Sequence, residues 1–418
     1  MKQKLSINIA RLKADIEELG QIGINALGGL DRTTFTASEL TARNWLKSHL
    51  HNLQLLVKVD QAANIWGKRK GQEPLPSIVF GSHIDTVPNG GKYDGALGVL
   101  IALEVMRVLE ENEITTRHPL QLVSFSGEEP NPFGLSTFGS RAVTGKLTKK
   151  HILNVTDTAG TPLTDALKRA GGDPDNFEKS VLQPEEISAY LEVHIEQGKR
   201  LLSRSIPIGI VTAITGIYRE EITVIGEANH AGTTLMEDRK DALTAASELI
   251  LSLERACGTH PSSEAVGTIG KINITPNTPN IIPDKVCMTL EIRGKVSMEI
   301  QEILTAFNTD CLLVKENRSV QINRKPILNQ PPALMDEFVI QAMKENAETL
   351  HYPYYLLGSM AGHDAAHMAA ITKSGMLFVP SLEGMSHCPE EESRIEDIEK
   401  AANTLLQTIL SLDQKLDA

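Results

Sequence analysis

The sequence predicts an α/β protein. Its main domain contains a mostly parallel sheet, and a smaller α+β domain is inserted in the chain of that domain. Apolar runs at residues 77–80 and 120–125 predict buried strands, and the apolar stretch 96–112 between them predicts a helix. Strand, helix and strand joined by short links indicate parallel pairing with a right-handed crossover. From about residue 214 the pattern becomes β-α-β-β-α-β, the order of a ferredoxin-like split unit.

This change of pattern predicts two domains. We expect a discontinuous first domain at residues 1–213 and 327–418, and an inserted domain at residues 214–326. In the first domain, periodicity and capping predict helices at 7–19, 36–50, 96–112, 336–350 and 394–412, and strands at 55–59, 64–68, 77–80, 120–125, 189–195 and 376–379. Residues 149–184 are polar and are predicted to be irregular with one short helix.

The inserted domain is predicted from two amphipathic helices and four strands. Apolar residues at positions i, i+3, i+4, i+7, i+8 and i+11 from Ala242 mark the first helix, and a similar pattern at 296–311 marks the second. The strands are predicted at 221–225, 265–273, 285–293 and 320–324.

Composition excludes several classes of protein. The chain has 418 residues, 41% hydrophobic and 22% charged, so it can bury a sizeable core. Its formal net charge is −12 without a basic block, which argues against nucleic acid or anionic membrane as a partner. The four cysteines show no CxxC spacing, which argues against a thiolate zinc site and a disulfide framework.

The first 19 residues predict an amphipathic helix with acidic residues. They lack the apolar core of about 7–15 residues that a signal peptide has. Later runs fall short of the ~20 apolar residues of a membrane span. We therefore expect a cytoplasmic protein.

Ligand-type side chains follow the strand at 77–80. His83 and Asp85 come at its end, and Asp94 follows after the turn Asn89-Gly90-Gly91, at the start of the next helix. Open α/β sheets bind ligands at the carboxyl ends of their strands. The pattern favours His83 and Asp94 as metal ligands, with Asp85 orienting the imidazole. The alternative is that both aspartates are turn residues and His83 is a hydrogen-bonded core residue.

Two further strands end in similar side chains. Glu128 and Glu129 follow the strand at 120–125, and His194 lies near the end of the strand at 189–195. Adjacent residues on an extended segment point to opposite sides, so one carboxylate could bind a metal while the other faces a water molecule. Taken alone, a Glu-Glu pair is common on solvated loops and a single histidine is usually structural.

The motifs together resemble the M20 metallopeptidase superfamily, in particular its hydantoinase/carbamoylase branch, which includes N-carbamoyl-L-amino-acid hydrolases and allantoate amidohydrolases. The resemblance spans residues 81–391 and is most specific in HIEQG and NHAGTT. The blocks that carry it are GSHIDTVPNGGKYDG, SGEEPNPFG, EVHIEQG, NHAGTT, TPNIIP, EIR, GHDA and GMSHCPEE. It implies a dimetal aminopeptidase-like catalytic domain and an inserted ferredoxin-like domain for dimerisation and closure.

The resemblance implies two divalent metal ions per subunit. One would be held by His83, Asp94 and His194, and the other by Asp94, Glu129 and His387, with Asp94 shared. These nitrogen and oxygen ligands suit Zn²⁺, Mn²⁺, Co²⁺ or Ni²⁺.

The resemblance also implies catalytic and substrate-binding roles. Glu128 would act as general base and then acid, with Asp85 in support. His230 would donate to the developing oxyanion, commonly in the site of the partner subunit of a homodimer. The substrate carboxylate would be bound by Arg219, Asn280 and Arg293, and the ureido end would lie near Gln197. His363 and Asp364 could simply cap their helix and stay outside the catalytic set.

The chain departs from the pattern of this branch without losing a ligand. Glu291 stands where Asp is usual, and the other departures are Pro130, Leu235, Met360 and Cys388. We expect a metal-dependent amidohydrolase that cleaves the ureido amide of a small carboxylate, such as an N-carbamoyl-L-amino acid or allantoate, releasing ammonia and CO₂. The alternatives are an aminoacylase or dipeptidase of the same superfamily, or a non-catalytic metal-binding scaffold protein.

Overall fold

A computed structural model describes residues 5–416, which divide between two units. The first unit holds the described chain up to Thr212, Leu334–Leu357 and the described chain from His363 onward. The second holds Ala213–Ala333 and Gly358–Gly362. The chain therefore leaves the first unit and returns to it.

The described residues form thirteen strands and twelve α-helices. The strands are β1 (Leu56–Val59), β2 (Ile65–Arg69), β3 (Ser77–His83), β4 (Leu120–Phe125), β5 (Ile187–Ile195), β6 (Ile208–Ile214), β7 (Gly216–Ile225), β8 (Val266–Thr275), β9 (Lys285–Gly294), β10 (Gln321–Gln330), β11 (Ala333–Leu334), β12 (Tyr354–Ser359) and β13 (Lys373–Val379). The helices are α1 (Ile9–Leu19), α2 (Ala37–Asn52), α3 (Ala96–Glu111), α4 (Phe138–Val143), α5 (Lys149–Ile152), α6 (Leu163–Arg169), α7 (Arg200–Arg204), α8 (Ala242–Gly258), α9 (Ser297–Asn317), α10 (Glu337–Thr349), α11 (Ala365–Met368) and α12 (Ile395–Lys415).

The larger sheet is parallel at its centre. Its strands follow the order β1-β2-β4-β3-β5-β13-β6-β11, with β12 paired to β6. The pairs β4–β3, β3–β5 and β5–β13 are parallel, while β2–β4 and β13–β6 are antiparallel. Helix α3 packs against β3, β4 and β5 and is buried almost throughout, as expected for a parallel sheet with covered faces. This confirms the predicted α/β class with a mostly parallel sheet.

The second unit has the predicted ferredoxin-like order. Its four-stranded sheet runs β10-β7-β9-β8 with every pair antiparallel. Helices α8 and α9 pack on this sheet through a buried cluster that includes Leu249, Leu253, Ile303 and Phe307. The amphipathic spacing seen in the sequence therefore gives one covered sheet face, and the predicted fold class is confirmed for this unit as well.

The last strand of the second unit is longer than the sequence predicts. We expected it to end at Arg324, but β10 continues to Gln330 along β7. The register shifts between Pro326 and Leu328. Proline cannot donate to the ladder, so it is tolerated in a strand at an edge or a bulge. The unit extends accordingly to Ala333, beyond the expected boundary at 326.

Some elements were not predicted. The strands β6, β11 and β12 are absent from the sequence-based assignment, and the stretch 149–184, predicted to hold one short helix, contains both α5 and α6. Within residues 5–416, no helix combines the length and the apolar character needed to cross a membrane.

Candidate metal centre

Four adjacent parallel strands bring the predicted ligands to one edge of the larger sheet. His83 ends β3, Glu128 and Glu129 follow β4, and His194 lies one residue before the end of β5. His387 lies in the loop after β13. Because β4, β3, β5 and β13 are neighbours and run in the same direction, their carboxyl ends meet at this edge.

Asp94 lies between two groups of side chains in the first unit. Its Oδ1 is 3.1 Å from His194 Nε2 and 3.7 Å from His83 Nε2. Its Oδ2 is 3.4 Å from His387 Nε2, which is itself 3.3 Å from Glu129 Oε1. The structure thus gathers both predicted sets of three, with ligand atoms in each set within 4.8 Å of one another. Each oxygen of Asp94 faces a different set.

Backbone carbonyls orient two of the histidines. Nδ1 of His83 lies 3.0 Å from the Asp85 carbonyl oxygen, and Nδ1 of His194 lies 3.0 Å from the Ile195 carbonyl oxygen. Donation from Nδ1 leaves a lone pair on each Nε2, and both Nε2 atoms lie on the Asp94 side; that of His194 accepts from the Gly95 amide at 3.2 Å. Gly95 makes room for the His83 ring, because a Cβ at this position would lie 2.2 Å from Nε2.

Asp85 contacts the Glu pair more closely than the imidazole. Its carboxylate Oδ1 is 3.6 Å from His83 Nδ1, too long for a hydrogen bond. Instead Oδ1 accepts from the Glu128 amide and Oδ2 from the Glu129 amide, both at 3.3 Å. Thr34 Oγ1 donates to Oδ2 at 3.0 Å. The backbone of Asp85 therefore orients His83, while its side chain fixes the loop that carries both glutamates.

The two glutamates are buried and differ in what they face. Glu129 Oε1 points to His387, whereas Glu128 Oε2 lies 3.7 Å from His83 Nε2. Burial raises the pKa of Glu128 well above its usual range against the opposing charge of His83, and the Glu129 carboxylate adds to the rise. Glu128 thus has the burial and position of a proton-transfer group, and Glu129 those of a ligand.

The donor set fits divalent cations. Among the residues described, His83 Nε2 and Glu129 Oε1 are buried without a hydrogen-bond partner. Although burial opposes ionisation, the histidines around Asp94 hold its pKa well below the usual range. The carboxylates of Asp94 and Glu129, 3.4 and 3.3 Å from Nε2, raise the pKa of His387 to about 11. Carboxylates that stabilise the imidazolium cation of His387 also suit a metal cation at the same place, because both carry positive charge.

A third acidic group in the first unit does not fit a metal. Asp15, Glu18 and His49 also lie close together. However, Arg107 donates to the Asp15 carboxylate and its Nη2 lies 2.9 Å from His49 Nδ1. The guanidinium already supplies the positive charge that a metal would bring.

Comparison with known proteins identifies the family of the chain. Residues 79–411 match the model of peptidase family M20/M25/M40. The chain belongs to this family. It is 36% identical over 408 residues to an N-carbamoyl-L-amino acid amidohydrolase of Geobacillus stearothermophilus, covering 97% of this chain and 98% of that one. It is 35% identical over 419 residues to an allantoate amidohydrolase of Bacillus subtilis, covering 98% and 99%.

A solved structure extends the likeness to the whole fold. An amidase of the hydantoinase/carbamoylase family from Burkholderia multivorans superposes with a TM-score of 0.91 at 31% identity, covering 98% of each chain. The predicted branch and enzyme class are thereby confirmed, and the chain is an amidohydrolase. The M20 family is metal-dependent, in keeping with the clustered ligands.

The second unit pairs its two predicted arginines around Glu291. Arg219 on β7 donates from Nε to Glu291 Oε2 at 2.9 Å, and Arg293 on β9 donates from Nε to Oε1 at 2.8 Å. Arg293 Nη1 also donates to the Met360 carbonyl at 2.7 Å. Despite burial, the two guanidinium groups lower the pKa of Glu291. The two arginines and Glu291 together therefore carry one net positive charge.

His230 and Asn280 lie together on neighbouring loops of the second unit. His230 forms a bridge with Ile281, and the Ala231 amide donates to the Asn280 carbonyl at 3.0 Å. The Gly232 amide donates to His230 Nδ1 at 2.9 Å, which directs the Nε2 edge outward. The imidazole is exposed and can donate to another molecule.

Two residues of the metal centre have contacts that sequence reasoning missed. Gln197, expected near the substrate's ureido end, donates from Nε2 to Asp94 Oδ2 at 2.7 Å. Glu391, from the CPEE segment, accepts from the Asp94 amide at 2.9 Å and is not among the predicted site residues. The only sequence signal for a role of Glu391 was its position four residues after His387. An acidic pair such as Glu390-Glu391 is usually solvated, so this signal was weak.

Proposed function

We propose that this enzyme hydrolyses the terminal ureido (N-carbamoyl) amide of a small carboxylate, of the N-carbamoyl-L-amino acid or allantoate type. The observation that carries the proposal is Asp94, whose two oxygens face separate sets of nitrogen and oxygen donors. Further support comes from the relatives named above, whose names specify N-carbamoyl-L-amino acids and allantoate. Water and the ureido amide yield ammonia and a carbamate, which releases CO₂ to leave the free amine.

Two divalent ions fit the residues at this centre. His83, Asp94 and His194 would hold one, and Asp94, Glu129 and His387 the other, with Zn²⁺, Mn²⁺, Co²⁺ or Ni²⁺ compatible with the set. When bound, such ions polarise the substrate carbonyl and stabilise negative charge on its oxygen.

Proton transfer is assigned to Glu128. Its buried carboxylate takes a proton from the attacking water and passes it to the leaving nitrogen, so that ammonia rather than an amide anion departs. Asp85 supports this role through the Glu128 amide. His230 donates to the oxygen that becomes negative in the transition state.

Substrate recognition is assigned to one group in each unit. In the second unit, Arg219 and Arg293 offer the guanidinium forks that suit a carboxylate, with Asn280 as a further donor. In the first, Gln197 Oε1 is buried without a partner among the described residues and can accept from the ureido NH₂.

A homodimer is also proposed, with the second unit as its contact. Strand β8 is an edge strand of the four-stranded sheet, and most of its side chains are exposed on both faces. Val266 and Ile272 on β8 and Leu251 on α8 are large apolar residues with 43%, 42% and 52% exposure. An unpaired edge beside apolar side chains suits strand pairing with a second copy about a two-fold axis.

A substrate panel tests the proposed reaction. Protein stripped of metal and reconstituted with Zn²⁺, Mn²⁺, Co²⁺ or Ni²⁺ is assayed with N-carbamoyl-L-amino acids, allantoate, N-acetyl-L-amino acids and dipeptides. We expect two ions per chain, ammonia release from a ureido substrate and little cleavage of the others. The stripped protein is the control and should be inactive. Faster cleavage of acetyl-amino acids or dipeptides than of every ureido compound would replace the proposal with aminoacylase or peptidase activity.

A further inference from the structure

Glu391 lies next to the candidate metal centre and accepts hydrogen bonds from two separate segments of the chain, at residues 93–94 and 386–387. The residue is 3% exposed. Its Oε1 accepts from the Tyr93 and Asp94 amides, each at 2.9 Å. Its Oε2 accepts from Ser386 Oγ at 3.1 Å and from the His387 amide at 3.4 Å. One carboxylate therefore joins two segments almost 300 residues apart, each of which carries a candidate ligand.

The sequence leaves room for this carboxylate. Gly91, in the turn before Asp94, is buried against it, and a Cβ at Gly91 would lie 2.2 Å from Glu391 Oε1 and 2.5 Å from its Cβ. No other residue type would fit at position 91 without moving Glu391. The glycine-rich turn therefore admits the carboxylate as well as reversing the chain.

Ser386 adds a second link between the same two segments. Its hydroxyl lies 2.9 Å from Asp94 Oδ2 and 3.1 Å from Glu391 Oε2. A hydroxyl has one proton and can donate to only one of these oxygens at a time. When Asp94 Oδ2 is taken by a cation, Ser386 can turn to Glu391 and keep a partner. Glu391 therefore gives Ser386 a hydrogen-bond acceptor when Asp94 binds a metal ion.

We infer that Glu391 is a positioning residue that sets the spacing between Asp94 and His387 and thereby the affinity for the second metal ion. The inference rests on the two-ion centre proposed above. Four donors converge on the carboxylate, so it acts as an acceptor at both oxygens. Glutamine in its place would turn an NH₂ group towards one pair of donors. Partners that orient ligands commonly change metal affinity by about 10–100-fold when they are mutated.

Metal titration of three variants tests the inference. Apo forms of wild type, Glu391→Gln and Glu391→Asp are titrated with Zn²⁺ against a chromophoric chelator, and with Co²⁺ to follow its visible absorption. Glu391→Asp keeps the charge, but its shorter side chain can reach only one of the two segments. Glu392→Gln is the matched control, since Glu392 is adjacent and exposed. Thermal unfolding of each apoprotein measures stability separately.

We expect the second ion to bind about 10–100-fold more weakly to both Glu391 variants, with a smaller change for the first ion and an altered Co²⁺ spectrum. The control should match wild type. A folded Glu391 variant that binds the second ion with wild-type affinity overturns the inference. Failure of both variants to fold even with metal also overturns it, because the carboxylate is then needed for folding of the whole unit. If wild type itself binds fewer than two ions, the proposed centre fails rather than this inference alone.

Discussion

Glu128 is held at both of its backbone groups, which explains how a loop residue can keep a defined position. Its amide donates to Asp85 Oδ1 at 3.3 Å, and its carbonyl accepts from the Thr137 amide at 2.7 Å. Groups that transfer protons must stay within hydrogen-bond reach of the reacting atoms. The loop after β4 is therefore fixed from the strand side by Asp85 and from the helix side by Thr137.

Replacing the Glu128 carboxylate should remove proton transfer but leave the metal ions bound. We expect Glu128→Gln to keep the fold and both ions and to lose at least ~10²-fold in kcat, because the amide cannot take a proton from water. Steady-state kinetics and elemental analysis of the same preparation measure both effects. Glu129→Gln is the matched variant and should lose metal as well as activity. An active Glu128→Gln beside an inactive Glu129→Gln with both ions bound would reverse the two roles.

The candidate ligands could be predicted from the sequence because most of them lie close to the end of a recognisable strand. His83, Glu129 and His194 needed only local pattern and the rule that parallel strands end at one edge. Glu391 and Thr34 could not be found in this way. Their partners are distant in the sequence, and nothing local distinguishes a buried glutamate in CPEE from a solvated one.

At the level of elements, α4 and α11 are tied together behind the Glu128 loop. Thr137, just before α4, contacts His367 on α11, with Oγ1 2.9 Å from Nε2. The other ring nitrogen, Nδ1, lies 3.1 Å from Lys146 Nζ and can accept from it only when the ring is neutral. Burial, together with the charges of Lys146 and Arg141, lowers the pKa of His367 to about 3.

This neutral histidine should make the enzyme less stable in acid. The folded-state pKa lies below the unfolded value of about 6.5, so the unfolded state binds more protons as the pH falls. We expect His367 to cost up to ~1.4 kcal/mol of stability per pH unit below pH 6.5, with no contribution above it.

Denaturant unfolding of wild type and His367→Gln from pH 5 to pH 8 measures this cost. The difference in unfolding free energy between them should shrink as the pH falls, because only wild type carries the titrating group. His51→Gln, a change at an exposed histidine, is the control for the loss of a histidine elsewhere in the first unit. A difference that is constant from pH 5 to pH 8 contradicts the expectation.

Helices and strands were predicted correctly where the local sequence pattern was strong. β4 was predicted with its observed bounds, since it is a short apolar run with clear ends. Residues 149–184 were predicted to be irregular with one short helix because they are polar, yet they form α5, α6 and a 3₁₀ helix at Pro174–Ser180. These are held by scattered apolar side chains, such as Leu163, Leu167 and Phe177, that pack into one buried cluster. Such packing joins residues that no short window of sequence contains.

At the scale of the whole molecule, the residues proposed for metal binding, catalysis and substrate recognition are divided between two units. The candidate metal ligands and Glu128 belong to the first, whereas His230, Asn280, Arg219 and Arg293 belong to the second. The order of motifs along the chain predicted this division, whereas a role for His230 in the partner subunit's site was implied only by the resemblance. We propose that His230 acts in the partner subunit's site, with the second unit acting as dimer contact and lid.

Mixing two inactive variants tests this arrangement. Alone, Glu128→Gln lacks the proton-transfer group, and His230→Ala should lose about 10²-fold or more with the oxyanion donor. If His230 acts across the dimer, a heterodimer of the two holds one site with both residues intact and one with neither. Equal mixing with free subunit exchange should then restore about a quarter of wild-type activity, because half of the dimers are mixed and each has one working site.

The controls separate the role of His230 from the existence of the dimer. Differently tagged subunits and mass measurement in solution quantify heterodimers, and mixing each variant with itself should restore nothing. Complete exchange without recovered activity would place His230 in its own subunit's site. An enzyme that is active and monomeric at every concentration would remove the dimer from the proposal, because a site that needs a residue from a second chain cannot work in a single one.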